Sequence, residues 1–206
     1  MNLQSHKTFL IIVALICVLI LVVAIISSIW PKQEEFFFEL GLLGKDKTAD
    51  AYFTNPNSTI EVGELTTWFI YIYNHMGTAQ NVSIRSKLLS SSMELPDDQK
   101  HQPSNATTFA EFPLSLSVNQ SVLIPFFWAI TATDIQNGSV VIKQLSVNNQ
   151  MVNIDDLRSL DRSFKIVFEL WVQNLVYGEY AFAWDSGMGL SSESVNMWFN
   201  LSLPSN

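Results

Sequence analysis

The sequence predicts an all-β antiparallel sandwich of eight or nine strands with one short helix, preceded by a single N-terminal transmembrane helix. Three observations predict it. One long uncharged apolar run stands near the N-terminus. After it, period-two runs of β-branched and aromatic residues recur between turn signals. No strand–helix alternation of the kind that builds parallel sheets is present.

The apolar run FLIIVALICVLILVVAIISSIW, bounded by Phe9 and Trp30, holds 22 residues without a charge. As a helix rising about 1.5 Å per residue it is about 33 Å long, enough for a hydrocarbon core of about 30 Å. Trp30 suits the interface and Pro31 a helix stop. A cleaved signal peptide is the rival, but its apolar region runs about 7–15 residues and ends in small residues. Ile25, Ile26, Ser27 and Ser28 form no such site. The expected organisation is a short cytoplasmic N-terminus over 1–8, a signal-anchor over 9–30, a juxtamembrane segment with the first strand over 31–50, and an extracellular sandwich over 51–206.

Flanking charge leaves the orientation nearly tied, because Lys7 stands on one side and Lys32 on the other. Sequons break the tie. N-x-[ST] occurs at Asn57, Asn81, Asn105, Asn119, Asn137 and Asn200, all after the apolar run. With 15 Asn and 34 Ser plus Thr in 206 residues, roughly 2.5 such triplets arise by chance. Six favour an exported surface bearing N-linked glycans at the cell membrane.

Nineteen acidic against eleven basic residues give a net charge of −8, which leaves no cationic patch for nucleic acid or an anionic bilayer surface. The single cysteine, Cys17, lies in the apolar run, so the exported part has neither disulfides nor thiolate ligands.

The strands follow in order. FFFELGLL from Phe36 is too apolar for a free linker and predicts a first strand. Two further runs, 58–62 and 66–73, flank Gly63 and Glu64, and the second, TTWFIYIY, suits a pleated, half-buried surface. Asn74-His-Met-Gly77 reads as a turn returning into 79–89, which makes 66–89 a hairpin with Gly63, Asn74 and Gly77 as its turn residues. The polar stretch 90–104 predicts a long surface loop. Strands are expected over 109–117 and 121–131, the second at an edge or bulge because Pro125 cannot donate to a ladder. Residues 134–138 read as a turn and 140–147 as a short strand. NIDDLRSL, with Asn153 as cap and acids in its first turn, predicts the one helix. Strands over 163–172, 179–184 and 196–203 complete the set.

Val62-Gly63-Glu64, an alternating strand, and Asn74-x-x-Gly77 leading into Asn81-Val-Ser-Ile are similar to a hairpin of immunoglobulin-like cell-surface adhesion domains. More closely, the chain resembles a prokaryotic, largely archaeal family of membrane proteins known as a domain of unknown function. Its members share a membrane segment, a Phe-rich early strand like 36–44, this hairpin, and a late aromatic strand like Met197-Trp-Phe-Asn-Leu. The resemblance covers about 36–203 and implies an immunoglobulin-like sandwich outside the cell. No functional residues are established for that family, so none carries over.

Site chemistry is sparse. A blue-copper centre needs Cys, two His and usually Met, and only His75 and His101 lie beyond the apolar run. Neither histidine has partners at zinc-ligand spacing, and His75 reads as a turn residue. Asp97-Asp98, Asp134 with Asn137-Gly138, and Asp155-Asp156 with Asp161 are calcium candidates, but none matches the calcium-loop pattern. No G-x-S-x-G or phosphate-binding glycine loop occurs. The expectation is a protein with no cofactor, no metal and no catalytic site. Trp68, Trp128, Trp171, Trp184 and Trp198 all sit in or beside expected strands and read as core rather than as a sugar-stacking platform.

These readings point to a non-enzymatic surface protein in adhesion or envelope organisation, partnered by the bilayer and by a protein at the surface or in the membrane. One alternative is an accessory subunit of a larger membrane complex. Another is a pilin-like filament subunit, although His6-Lys7-Thr8-Phe9 lacks the Gly or Ala expected after the basic residue of such a processing site.

Overall fold

The computed structural model describes residues 3–29, 36–174 and 176–203, with side chains in the N-terminal helix described for 12–26 only, and without the Asp156 side chain. The chain divides into two compact units, one ending at Glu34 and one beginning at Glu35. The first holds α1 (Leu3–Ile29), 27 residues and about 40 Å long. It contains the expected anchor as far as Ile29; Trp30 and the Phe9 side chain lie outside what is described. Side chains 12–26 are exposed and apolar on every side. That stretch is shorter than the 18 residues a crossing needs, so among the described residues no helix is long and apolar enough to cross a membrane.

The second unit is a two-sheet sandwich. Its strands are β1 (Phe38–Leu43), β2 (Thr59–Glu61), β3 (Thr66–Asn74), β4 (Gln80–Ser90), β5 (Thr108–Leu116), β6 (Ser121–Gln136), β7 (Ser139–Val147), β8 (Gln150–Ser159), β9 (Ser163–Gln173), β10 (Tyr180–Ala181), β11 (Trp184–Asp185), β12 (Leu190–Ser191) and β13 (Ser194–Ser202). The first sheet runs β1-β3-β6-β7-β8 and the second β2-β13-β9-β4-β5, with β10 on β9 and a separate β11-β12 ribbon. β2 and β13 pair in parallel. In the second sheet β4, β9 and β13 adjoin as strands C, F and G do in immunoglobulin domains, and β1, β3 and β6 adjoin as A, B and E do. The sandwich is therefore immunoglobulin-like, with β7 and β8 extending the first sheet beyond β6.

Alternation builds the core. β3 turns Trp68, Ile70 and Ile72 inward, β6 Ile124, Phe126 and Trp128, and β9 Phe164, Ile166, Phe168 and Leu170. Trp68 lies 4.9 Å from Trp128 between ring centroids, and Phe126 meets Phe168 edge-on at 5.0 Å.

Two expectations are corrected. NIDDLRSL is not a helix but most of β8, paired antiparallel with β7. Asn148 and Asn149 both take positive φ (47° and 66°) and form the two-residue turn that sends the chain back along β7. Met151 and Asn153 then point out while Val152 and Ile154 lie half-buried, so period two prevails over the capping signal. Residues 66–89 are not a hairpin either, because β3 belongs to the first sheet and β4 to the second. The Asn74–Gly77 stretch is a corner between sheets. Gly77 (φ 68°) is required there, since a Cβ would stand 2.7 Å from the Phe36 ring. Gly63 (φ 88°) makes another sheet change, from β2 to β3.

Pro125 sits in β6, a central strand, yet β7 reaches only as far as Trp128. On the side away from β3 its neighbour is Asn148, whose amide donates to the Pro125 carbonyl. The strand is locally an edge where the missing N–H would otherwise leave a ladder bond unmade.

Candidate functional site

The two outer faces of the sandwich differ in one respect: one is covered by the chain itself and the other is bare.

The covered face belongs to the second sheet. Residues 91–107, a loop long enough for an Ω-loop, fold back across β4 and β9. Lys87 on β4 and Glu169 on β9 form a buried ion pair at 2.8 Å. Ser104 of the loop closes it from both sides, its N–H donating to Glu169 Oε1 at 2.7 Å and its carbonyl accepting from Lys87 Nζ at 2.7 Å. Trp171 Nε1 donates to Glu169 Oε2. A second strap is Lys165 Nζ on the Met93 carbonyl, 2.6 Å, with its ammonium 4.4 Å over Trp198. A third is Asp98, which accepts from Ser194 Oγ with both oxygens. A cleft of about 1100 Å³ opens along the loop, lined by Glu94, Asp97, Asp98, Lys100 and Gln102 among others. Its aspartates are already engaged, Asp97 by Lys100 at 2.7 Å and Asp98 by Ser194.

The bare face belongs to the first sheet. Cross-strand register sets its outward residues in rows: Glu39–Tyr73–Ser121, Gly41–Tyr71–Leu123, Leu43–Phe69–Pro125 and Thr67–Phe127. Phe37, Leu123 and Phe127 are 38–41% exposed, and Met151 on β8 is 62% exposed. Phe37 stacks on His75 at 4.2 Å, and Tyr73 meets the same ring at 3.9 Å. His75 Nε2 lies 3.3 Å from Glu39 Oε1. At the other end, Lys47 Nζ stands 5.2 Å over the Phe69 ring. Partial burial and the Glu39 carboxylate push the Tyr71 hydroxyl above its ordinary value. With strands about 4.8 Å apart and alternate residues about 6.8 Å apart, the patch covers on the order of 300 Å². That is the size at which exposed apolar surface on a monomer is often functional.

Glu193 links the two sheets. Its Oε1 accepts the Leu40 N–H of β1 at 3.1 Å. Burial, with Asp98 and Glu39 nearby, raises its pKa to about 7. Between the ordinary value near 4.5 and 7 the folded chain keeps a proton that the unfolded chain has released, so this group's contribution to stability falls as pH rises through that window. Glu193→Gln retains the acceptor for Leu40. Thermal melts of the full chain in detergent, taken from pH 4.5 to 8, are expected to show a flatter profile and a higher Tm at pH 8 than the parent. An unchanged profile would mean that Glu193 titrates normally.

The residues singled out in the sequence are scattered. Asn57, Asn105, Asn119, Asn137 and Asn200 are exposed, in the β1–β2 loop, the Ω-loop, two turns and β13. Asn81 lies half-buried in β4 with its amide donating to Gln173 Oε1 at 2.9 Å. None of the six is on a strand of the first sheet. Trp68, Trp128 and Trp184 are in the core; Trp171 and Trp198 are instead on the outer face of the second sheet, Trp171 beneath the Arg85 guanidinium at 3.9 Å. His75 belongs to the bare face, and His101 bonds Ser192 in the Ω-loop contact. The acidic calcium candidates do not converge. Asp134 bonds its own turn and Asp161 accepts from Ser91 and Ser159, and among the described residues no group of three or more metal-ligating side chains forms. The bare face went unread because period two marks alternate residues without saying which alternate set is buried.

No protein-family model matches the chain, and no curated protein matches it. Among solved structures it is similar to the CARDB domain of a Pyrococcus furiosus protein, crystallised in complex with di-metal ions. That match has 9% identity over 82% of this chain and 90% of that domain, with a TM-score of 0.40. It is also similar to part of a β-glucosidase involved in saponin metabolism from intestinal bacteria, at 9% identity and TM-score 0.42, covering 81% of this chain and 16% of that one. A Listeria innocua β-glucosidase in complex with isofagomine gives 11% identity, TM-score 0.38 and the same coverage. The chain thus spans about a sixth of the glucosidases it matches. What these matches share with the chain is a β-sandwich fold, and the chain is a sandwich similar to the CARDB domain.

Proposed function

We propose that this chain is a membrane-anchored extracellular protein without catalytic activity, whose sandwich holds a protein partner at the cell surface through the outer face of its first sheet, in adhesion or envelope organisation. The observation that carries the reading is the bare aromatic face of Phe37, Phe69, Tyr71, Tyr73, Leu123 and Phe127. A flat apolar patch rimmed by polar groups favours a macromolecular partner over a small molecule, which prefers a concave site. The uncharged run from Phe9 to Trp30 supports anchoring, and the six sequons support an outward-facing domain.

The test is to solubilise the native protein in mild detergent and to compare what co-migrates with the parent and with Tyr71→Glu, which buries a charge in any interface on this face. A stoichiometric partner held by the parent and lost by the variant is the expected result. If that partner is a large membrane assembly, the chain is an accessory subunit of it. Equal complements of partners in parent and variant would remove the face from the function. The intact mass is expected to exceed the 23.3 kDa of the polypeptide by whole glycan units. An unmodified mass would count against the exported orientation.

A further inference from the structure

We infer that the partner on this face is a second copy of the chain, packed face to face about a two-fold axis along the row Gly41–Tyr71–Leu123; this rests on the reading of the face as a docking surface. The face carries one acid and one base, and they stand at opposite ends. Glu39 lies in the row of Tyr73, while Lys47 places its ammonium over Phe69, two rows away. Between them are aromatic and aliphatic residues and Gly41, the position with no side chain. A two-fold axis lying in the interface and crossing the strands exchanges the two ends. It sets Glu39 of each copy against the Lys47 end of the other and leaves the uncharged row paired with itself. An axis along the strands would set Glu39 against Glu39, which like-charge repulsion disfavours. Isologous contacts of this kind are the commonest in homo-oligomers, because one self-complementary patch serves both copies.

Two further observations fit a second copy. All six sequons lie off the strands of this sheet, so glycans at them leave the face open for another sandwich. The patch is also small. Two copies bury on the order of 600 Å² from the patch itself, below the 1,200 Å² or so of a stable soluble complex. Such a contact is weak in dilute solution and is populated where anchoring raises the effective concentration.

The experiment reconstitutes the full chain into zwitterionic bilayers at defined surface density, in a Cys17→Ser background carrying Leu123→Cys on the axis row. A short bifunctional thiol cross-linker is expected to give a discrete dimer band. The control Asn137→Cys, in an exposed turn, is expected to give at least tenfold less. Glu39→Lys and Lys47→Glu are each expected to cut the dimer fraction several-fold, and the double charge swap to restore it. A dimer fraction independent of these charges, or no Leu123 cross-link while near-ultraviolet circular dichroism shows a folded domain, overturns the self-pairing. If Tyr71→Glu then still removes a different stoichiometric partner from the native membrane, the docking face stands and only the second copy falls. If Tyr71→Glu removes nothing, both readings fall.

Discussion

Replacing Glu169 by alanine is expected to cost about 3–5 kcal/mol of stability, the range for breaking one partner out of a buried ion pair. The Glu169 side chain is fully buried and that of Lys87 is 6% exposed. Removing the carboxylate leaves the Lys87 ammonium with only the Ser104 carbonyl, and it strips the acceptor from Ser104 N–H and Trp171 Nε1. An ammonium confined there sheds its proton or pulls in water, and either route loosens residues 91–107. Denaturant unfolding of the detergent-solubilised chain measures the loss, and hydrogen exchange at Ser104 reports whether the loop lifts. The pair Lys87→Met with Glu169→Leu is expected to lose much less than either single change, because an apolar pair leaves no stranded charge. A loss under 1 kcal/mol for Glu169→Ala would mean that the loop is held by its other straps, Lys165 on Met93 and Asp98 on Ser194.

The second large effect is expected at the corner between sheets. Asn74 is fully buried, and its Nδ2 donates to the carbonyls of Thr78, Leu116 and Ser117 at 2.9–3.2 Å while its Oδ1 accepts the Met76 N–H at 2.9 Å. One side chain thus ties the end of β3 to the β5–β6 turn and shapes its own corner. Asn74→Ala strands several buried backbone groups at once, at about 1–3 kcal/mol for each left unsatisfied. The net expectation is about 3 kcal/mol, since water entering the corner recovers part of it. Asn74→Asp is the informative companion. It keeps the Met76 contact but puts a carboxylate against three carbonyls, so it is expected to destabilise more at pH 7 than at pH 4. Equal stability at both pH values would mean that the amide donors do not hold the corner.

Most of the strands were legible from local pattern. TTWFIYIY became β3, SVLIPFFWAIT the first part of β6, and SFKIVFELWV most of β9, because alternation and β-branching follow directly from which residues can fill a pleat. The apolar run could be read as a helix for the same reason, on length and absence of charge. Where local signals competed, the reading failed. Asn153 followed by two aspartates satisfies the start of a helix, but pairing with β7 outweighs a cap on an isolated turn, whose nucleation is unfavourable. Asn74 and Gly77 were rightly picked as turn residues, yet a turn signal says only that the chain reverses. Whether the next strand pairs with the last one or crosses to the other sheet depends on which strands fill the sites beside it.

The sequence by itself determined the class of the protein: an apolar helix, then a β domain with no thiol chemistry and sugar-acceptor sites only beyond the apolar run. Tertiary structure alone decided what the surface can do. Period two divides each strand into two sets of side chains, and both sets in β3 are apolar, Trp68, Ile70 and Ile72 against Phe69, Tyr71 and Tyr73. The core takes the first set. The second is left in the open because residues 91–107, which could cover only one outer face, are drawn to the other by Glu169 and Lys87. A contact between residues so far apart along the chain has no local signature, since nothing in the neighbourhood of either charge names its partner until the strands have met.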